Sequence, residues 1–356
     1  MPELITPELI TPEPKTGDGI DATRRAWMTG AGALLAAASF AGTGPARAQP
    51  AAPAGAPPGF GPLKRIEAGD LSVAFAEAGP RDGKPVLLLH GWPYDIHSYA
   101  EVAPILAASG HRVLIPYLRG YGETRFRSQA TPRNGQQAAL AADALAFLDA
   151  LAVERALVAG YDWGARTACI LAALSPERCT GLVSVSGYLI GSQQANAMPL
   201  PPKAELQWWY QFYFATERGR EGYARYTRDF ARLIWEIASP RWRFDDATFA
   251  RSAAALENPD HVAVSIHNYR WRLGLAEGEA RFDATERKLA AFPTIAVPTI
   301  TLEGDANGAP HPQPSAYAKM FTGPYAHRTL TGGIGHNLPQ EAPRAFAQAV
   351  VDVDAL

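Results

Sequence analysis

The chain has 356 residues, 47% of them hydrophobic and 19% charged, with a net charge of −2. Such a composition supports a sizeable core and excludes a polar chain that cannot collapse; mixed signs throughout exclude a polybasic surface for nucleic acid or anionic lipid. The partner that remains is a small molecule.

In chain order, residues 1–60 stand outside the fold. Pro2-Glu3-Leu4-Ile5-Thr6 repeats at once as Pro7-Glu8-Leu9-Ile10-Thr11, too short for a structural repeat. Thr23-Arg24-Arg25 precedes an uncharged Ala/Gly/Leu run that closes on Ala46-Arg47-Ala48, the order of basic region, apolar region and small-residue cleavage site in an export signal. The paired arginines are similar to a twin-arginine signal, which implies export of a folded protein to the periplasm. The run is nearly long enough to span a bilayer, but its Ala/Gly richness and the small-residue site favour cleavage, so no stable membrane insertion is expected afterwards. The signal is placed at residues 1–48 and an Ala/Pro/Gly linker at 49–60.

Leu71-Ser72-Val73-Ala74-Phe75 alternates as a half-exposed strand, whereas residues 85–90 are apolar on both faces; 112–116 makes the next strand. Helical spacing predicts helices over 96–108 and 136–151, the second with Leu140, Ala144, Phe147 and Leu151 on one face. Residues 156–166 read as strand, sharp turn and helix around Gly160-Tyr161-Asp162-Trp163-Gly164. Flanking glycines allow a turn tight enough to lift one strained side chain above the sheet edge. Here it is a carboxylate. An aspartate attacks an sp3 carbon by displacement and forms an ester, whereas a serine attacks a carbonyl. Taken alone, the same pattern describes an ordinary turn with Asp162 as a helix N-cap.

Cys169 and Cys179 read as free buried thiols; an oxidising compartment permits a disulfide without requiring one. Neither has metal-ligand spacing, and no metal or organic cofactor is expected. A strand follows at 181–186; residues 193–291 then carry helical patterns rich in Trp, Tyr and Phe, without a buried strand. Strands resume at 297–302 and 328–330, and a helix over 341–351 closes the pattern. Apolar strands separated by helices imply an α/β fold with a mostly parallel central sheet flanked by helices. The core is placed at 61–192 and 292–356, with residues 193–291 as an inserted helical lid over the carboxyl ends of the strands, where open sheets bind ligands.

Four motifs occur in this order: His90-Gly91-Trp92-Pro93, Arg119-Gly120-Tyr121-Gly122, Gly160-Tyr161-Asp162-Trp163-Gly164 and Gly335-His336-Asn337. Together they resemble the α/β-hydrolase fold, in its epoxide hydrolase and haloalkane dehalogenase branch, from about residue 61 to the C-terminus. The resemblance implies Asp162 as nucleophile and the backbone N–H groups of Trp92 and Trp163 as an oxyanion hole for the charge formed when water attacks the ester. It implies His336, on a glycine-rich loop before the last helix, as general base. The acid that orients His336 is expected after the 297–302 strand, three residues beyond a glycine or small residue. Counted from Gly304, that position holds Asn307; Asp305, two residues earlier, is the expected partner and Asn307 the neutral substitute. An Asn accepts from the imidazole N–H without stabilising the imidazolium, and the corresponding change in a serine-protease triad costs about 10⁴ in kcat.

In the lid, Gln211-Phe212-Tyr213-Phe214 and Asn268-Tyr269-Arg270 are similar to the segments that carry epoxide-activating tyrosines. Tyr213 and Tyr269 are therefore expected to protonate the departing oxygen, with Tyr210 in reserve for Tyr213. Helical spacing places Leu206, Tyr210 and Tyr213 on one face, and Val262, Ile266, Tyr269 and Leu273 on another. His90 is expected to be structural; His97, His111, His261, His267, His311 and His327 show no paired spacing and receive no role. The expected activity is hydrolysis of an apolar epoxide to a diol, with water as co-substrate. Two other readings stand: a haloalkane or haloacid dehalogenase using Asp162 with the Trp163 indole as halide donor, and an exported binding protein on a scaffold disabled at Asn307.

Overall fold

The computed structural model describes residues 60–353 and residue 356; the expected export signal, its cleavage site and the linker up to residue 59 lie outside the described residues. Nine strands form one sheet: β1 Lys64–Ala68, β2 Leu71–Ala78, β3 Lys84–Leu89, β4 His111–Pro116, β5 Arg125–Phe126, β6 Ala156–Gly160, β7 Cys179–Val185, β8 Thr299–Gly304 and β9 Tyr325–Leu330. Their order is β1-β2-β4-β3-β6-β7-β8-β9, with β5 pairing to β2. Every pairing that β2 makes is antiparallel, and every pairing from β4 across to β9 is parallel.

The central strands are buried on both faces, as their unbroken apolar runs require: Val86, Leu87, Leu88 and Leu89 have no exposure at all. Two helix pairs cover them, α1 (Val102–Ala108) with α7 (Pro343–Val353) and α2 (Gln137–Ala150) with α3 (Trp163–Leu174). The buried Arg119 fastens α2 to the loop after β4, donating from Nε and Nη2 to both Asp143 carboxylate oxygens at 2.6 and 2.7 Å. The 96–108 helix expected from spacing divides into a 3-10 turn, Ile96–Tyr99, and α1, with Asp95 capping the turn. Polar Lys64–Ala68 and the two-residue β5 carry no periodicity that would announce them; both are held by pairing to β2.

Between β7 and β8 the chain is helical, with α4 Trp209–Ala215, α5 Glu217–Ala238 and α6 His261–Arg272 the elements that face the sheet's carboxyl end. Leu206 belongs to a separate short helix, Pro202–Gln207, that stops at Trp208, and it is 72% exposed. It therefore does not share a face with Tyr210. Cys169 and Cys179 are both free and buried.

Candidate active site

The turn between β6 and α3 places Asp162 at φ 52° and ψ −124°, a strained conformation for a residue with a side chain. It makes no side-chain cap hydrogen bond to α3, so the N-cap alternative does not describe it. Two glycines make the geometry possible. A Cβ on Gly164 would sit 1.9 Å from the Leu89 carbonyl, so the elbow can pack against β3 only without one. A Cβ on Gly91 would sit 2.3 Å from that of Asp162, and its absence lets the loop after β3 close over the carboxylate. From that loop the Trp92 backbone N–H donates to Asp162 Oδ1 at 2.7 Å. His336 Nε2 lies 3.5 Å from Oδ2.

Burial pushes the Asp162 pKa upward, but the hydrogen bond and charge of His336, with the backbone N–H groups of Trp92 and Trp163, outweigh it and hold the carboxyl below its ordinary value. The side chain is thus ionised at neutral pH, with 23% of its surface still exposed. It carries the charge and the access that a nucleophile needs.

His336 is positioned through its backbone. Its N–H donates to Ser239 Oγ at 2.9 Å, and Ser239 Oγ donates to Glu341 Oε1 at 2.6 Å. Glu341 also accepts from the N–H groups of Gly335 and Asn337. Neither candidate acid reaches the ring. The Asp305 carboxylate accepts from the backbone N–H groups of Gly332, Gly333 and Ile334, tying down the loop before His336. Asn307 donates to Glu303 Oε1 at 2.8 Å and to Ser186 Oγ, and accepts from Ala309 N. His336 Nδ1 is buried without a hydrogen-bond partner among the described residues. Asp305 does not orient the ring because it sits at the first turn after β8, where the nearest donors are a run of backbone amides.

Tyr210 lines the same cleft as Asp162, Trp92, Trp208, Trp209 and His336. Tyr269 is 1% exposed, its ring centroid 5.3 Å from that of Tyr210, and the Trp92 ring packs on both. Burial raises both phenol pKa values, and the charge of Asp162 adds to the rise, so both stay protonated. Tyr213 takes the other direction: it stacks on Phe230, and its hydroxyl points to Gly222 of α5. The phenol beside Tyr269 is thus the reserve candidate: three residues of α4 leave Tyr210 and Tyr213 about 60° apart, and over that angle one side chain enters the cleft while the other packs on α5.

Two histidines given no catalytic role, His90 and His261, hold the surroundings. His90 Nδ1–H donates to Gly91 O and its Nε2 accepts from Leu118 N–H, which fixes the tautomer. The Trp92 indole N–H donates to Tyr223 Oη at 2.9 Å; that hydroxyl donates to His261 Nε2 at 2.8 Å, and His261 Nδ1–H donates to Gly120 O. This chain ties α5 and α6 to the two core loops. Sequence spacing missed it, as it missed Ser239 and Glu341; the one available signal was a Glu five residues beyond the histidine itself.

A roomier cleft of about 660 Å³ opens beside α6, lined among others by Gln136, Ser192, Trp271 and Glu277, and contains none of the predicted site residues. The cleft at Asp162 has about 50 Å³ of free space.

A family model described as the alpha/beta hydrolase fold matches residues 84–233. A solved candidate epoxide hydrolase from Klebsiella pneumoniae is 64% identical and superimposes with a TM-score of 0.82, covering 83% of this chain and 97% of that one. Another from Pseudomonas aeruginosa is 25% identical with a TM-score of 0.68, covering 84% and 96%. Epoxide hydrolase B of Mycobacterium tuberculosis is 34% identical over 160 residues, 41% of this chain; that match spans 44% of the relative's own length. The chain belongs to the α/β-hydrolase fold family.

Proposed function

We propose that the protein is an epoxide hydrolase that works through a covalent ester on Asp162. The observation that carries this reading is one carboxylate held between a backbone N–H at 2.7 Å and an imidazole at 3.5 Å, with the phenol of Tyr210 lining the same cleft. An Asp162 oxygen attacks a ring carbon, the C–O bond breaks, and the departing oxygen takes a proton from Tyr210 or Tyr269. His336 Nε2 then removes a proton from water, which adds to the ester carbonyl. The resulting oxyanion is held by the N–H groups of Trp92 and Trp163, and its collapse releases the diol and regenerates the carboxylate. His336 returns its proton through solvent to the tyrosinate.

Because His336 Nδ1 has no acceptor among the described residues, ester hydrolysis is the step we expect to be slow. A single turnover in H₂¹⁸O tests the route: digestion should find one ¹⁸O in the peptide containing Asp162, and His336→Ala should trap a species heavier by one substrate. Diol formed without label in Asp162 would sink the reading.

The buried, unpartnered Trp163 indole N–H favours a second reading, a dehalogenase on the same aspartate. Halide release with no diol from any epoxide would put that reading first; a persistent adduct, or tight binding with no adduct, would instead leave an alkylated or receptor-like protein. Export through Arg24-Arg25 is part of the same proposal. Replacing both by Lys should leave the precursor in the cytoplasm of an expressing bacterium.

A further inference from the structure

The first turn of α3 carries one charged side chain in an otherwise uncharged helix, Arg166, four residues after Asp162. Its guanidinium points toward the loop after β7, where a Cβ on Gly191 would lie 3.0 Å from Nη1. A second arginine, Arg272, ends α6 at 8% exposure, and its guanidinium lies over Trp208 at 5.1 Å and over Tyr269 at 5.7 Å. Trp208 lines the cleft with Asp162, and Tyr269 is the second phenol of the candidate site.

Among the described residues neither arginine has an acidic partner, and Arg272 Nε is buried with no hydrogen bond at all. Other arginines near the site are paired, Arg119 to Asp143 and Arg270 to Glu217. Burial, followed by the like charge of Arg272, depresses the Arg166 pKa to about 10, which records how little compensates them. The Asp162 carboxylate is foremost among the groups that act in the opposite direction. Arg166 follows Asp162 by one turn of α3, and the loop it meets at Gly191 is joined to the end of α6 by Gln193 Nε2, which donates to Trp271 O at 2.7 Å, so both arginines flank one loop beside the candidate site. Burying guanidinium groups without counter-charge is costly, and a guanidinium laid flat on an aromatic face keeps its N–H edge free for a planar anion.

We propose that Arg166 and Arg272 form a subsite for a carboxylate carried by the substrate, so that the molecule opened at Asp162 is an epoxy acid with an apolar body rather than a neutral epoxide. This rests on the reading of Asp162 as nucleophile. The carboxylate supplies the two arginines with a negative charge that remains when Asp162 is esterified. Its two oxygens accept from the guanidinium edges while the ring carbon meets Asp162, so one end of the substrate is anchored before the other reacts.

The test compares sodium 3-phenyloxirane-2-carboxylate with the corresponding primary amide on the full-length protein. We expect the salt to be preferred in kcat/KM on the order of 10- to 100-fold, and Arg166→Met and Arg272→Met each to remove most of that preference. An unreactive probe guards against variants that do not fold. In wild-type protein 3-phenylpropanoate should raise Tm and inhibit competitively, whereas 3-phenylpropanamide at the same concentration should do neither. Equal kcat/KM for salt and amide, with no Tm shift from the carboxylate, overturns the subsite while leaving epoxide hydrolysis standing. The same shift from chloride as from 3-phenylpropanoate also overturns it, as an inorganic-anion site only. Turnover of neither epoxide, with the carboxylate shift present and lost in the arginine variants, keeps the subsite and removes the hydrolase reading. Release of halide from a 2-halo acid keeps the subsite and moves the chemistry to dehalogenation.

Discussion

Tyr210 and Tyr213 stand three positions apart in one helix, yet one lines the cleft of Asp162 while the other stacks on Phe230. Their surroundings predict opposite phenotypes. Tyr210→Phe should slow ester formation by about 10²- to 10⁴-fold, because it removes a proton donor to the departing oxygen. Tyr213→Phe should change it by less than about threefold, since that hydroxyl is turned away from the reaction. Rapid-mixing measurement of tryptophan fluorescence during alkylation separates the two, and the reverse ranking would return the donor role to Tyr213. At this scale the placing of Asp162 and His336 beside one another was legible because each sits in a glycine motif that constrains its own backbone. The phenol and the histidine's missing acid were not, because both depend on where a side chain turns after its element is placed.

Between elements, polar side chains do the fastening. Ser239 receives the backbone N–H of His336 and passes its own proton to Glu341, so the end of α5 grips the histidine loop. Burial raises the Glu341 pKa, and the hydrogen bond from Ser239 is foremost in opposing the rise. Ser239→Ala should therefore cost about 1–3 kcal/mol in urea unfolding and slow hydrolysis of the ester more than its formation. An equal effect on both steps would mean that the serine is only structural. Arg119 and Asp143 fasten α2 in a similar way, with Arg119 only 1% exposed. Asp143→Ala leaves that guanidinium unpaired, and a loss of about 3–5 kcal/mol is expected from chemical unfolding; a loss under 1 kcal/mol would show that solvent reaches the arginine.

For the whole molecule, the two fully buried histidines predict how stability follows pH. Burial lowers the pKa values of His90 and His261 from 6.5 to about 4. Between those values the unfolded chain binds protons that the folded one refuses, so stability rises with pH through the window and falls as pH drops from about 6.5 toward 4. Each histidine contributes up to about 3 kcal/mol to that fall. Because His261 Nε2 accepts from Tyr223, its protonation breaks that hydrogen bond between α5 and α6, while Nδ1–H still donates to Gly120 O. Thermal unfolding across pH 7 to 4 should show a steep loss of Tm that His261→Gln makes shallower. An unchanged slope in that variant would mean that the ring titrates in the folded state.

The sequence by itself determined what short-range chemistry can determine. Apolar runs of strand length declared a sheet buried on both faces, glycines at Gly160 and Gly164 declared a turn that lifts Asp162, and their order declared the family to which the chain belongs. It could not announce β1, whose Lys-Arg-Ile-Glu-Ala is a strand only because β2 offers it a partner. Nor could it orient Asp305, which found backbone amides nearer than an imidazole, or reveal that Arg272 would be buried over Trp208 and Tyr269 without an acidic partner among the described residues. Those outcomes belong to the tertiary structure, because hydrogen bonds and charges are satisfied by whatever lies within a few ångströms in space, and distance along the chain carries no record of it.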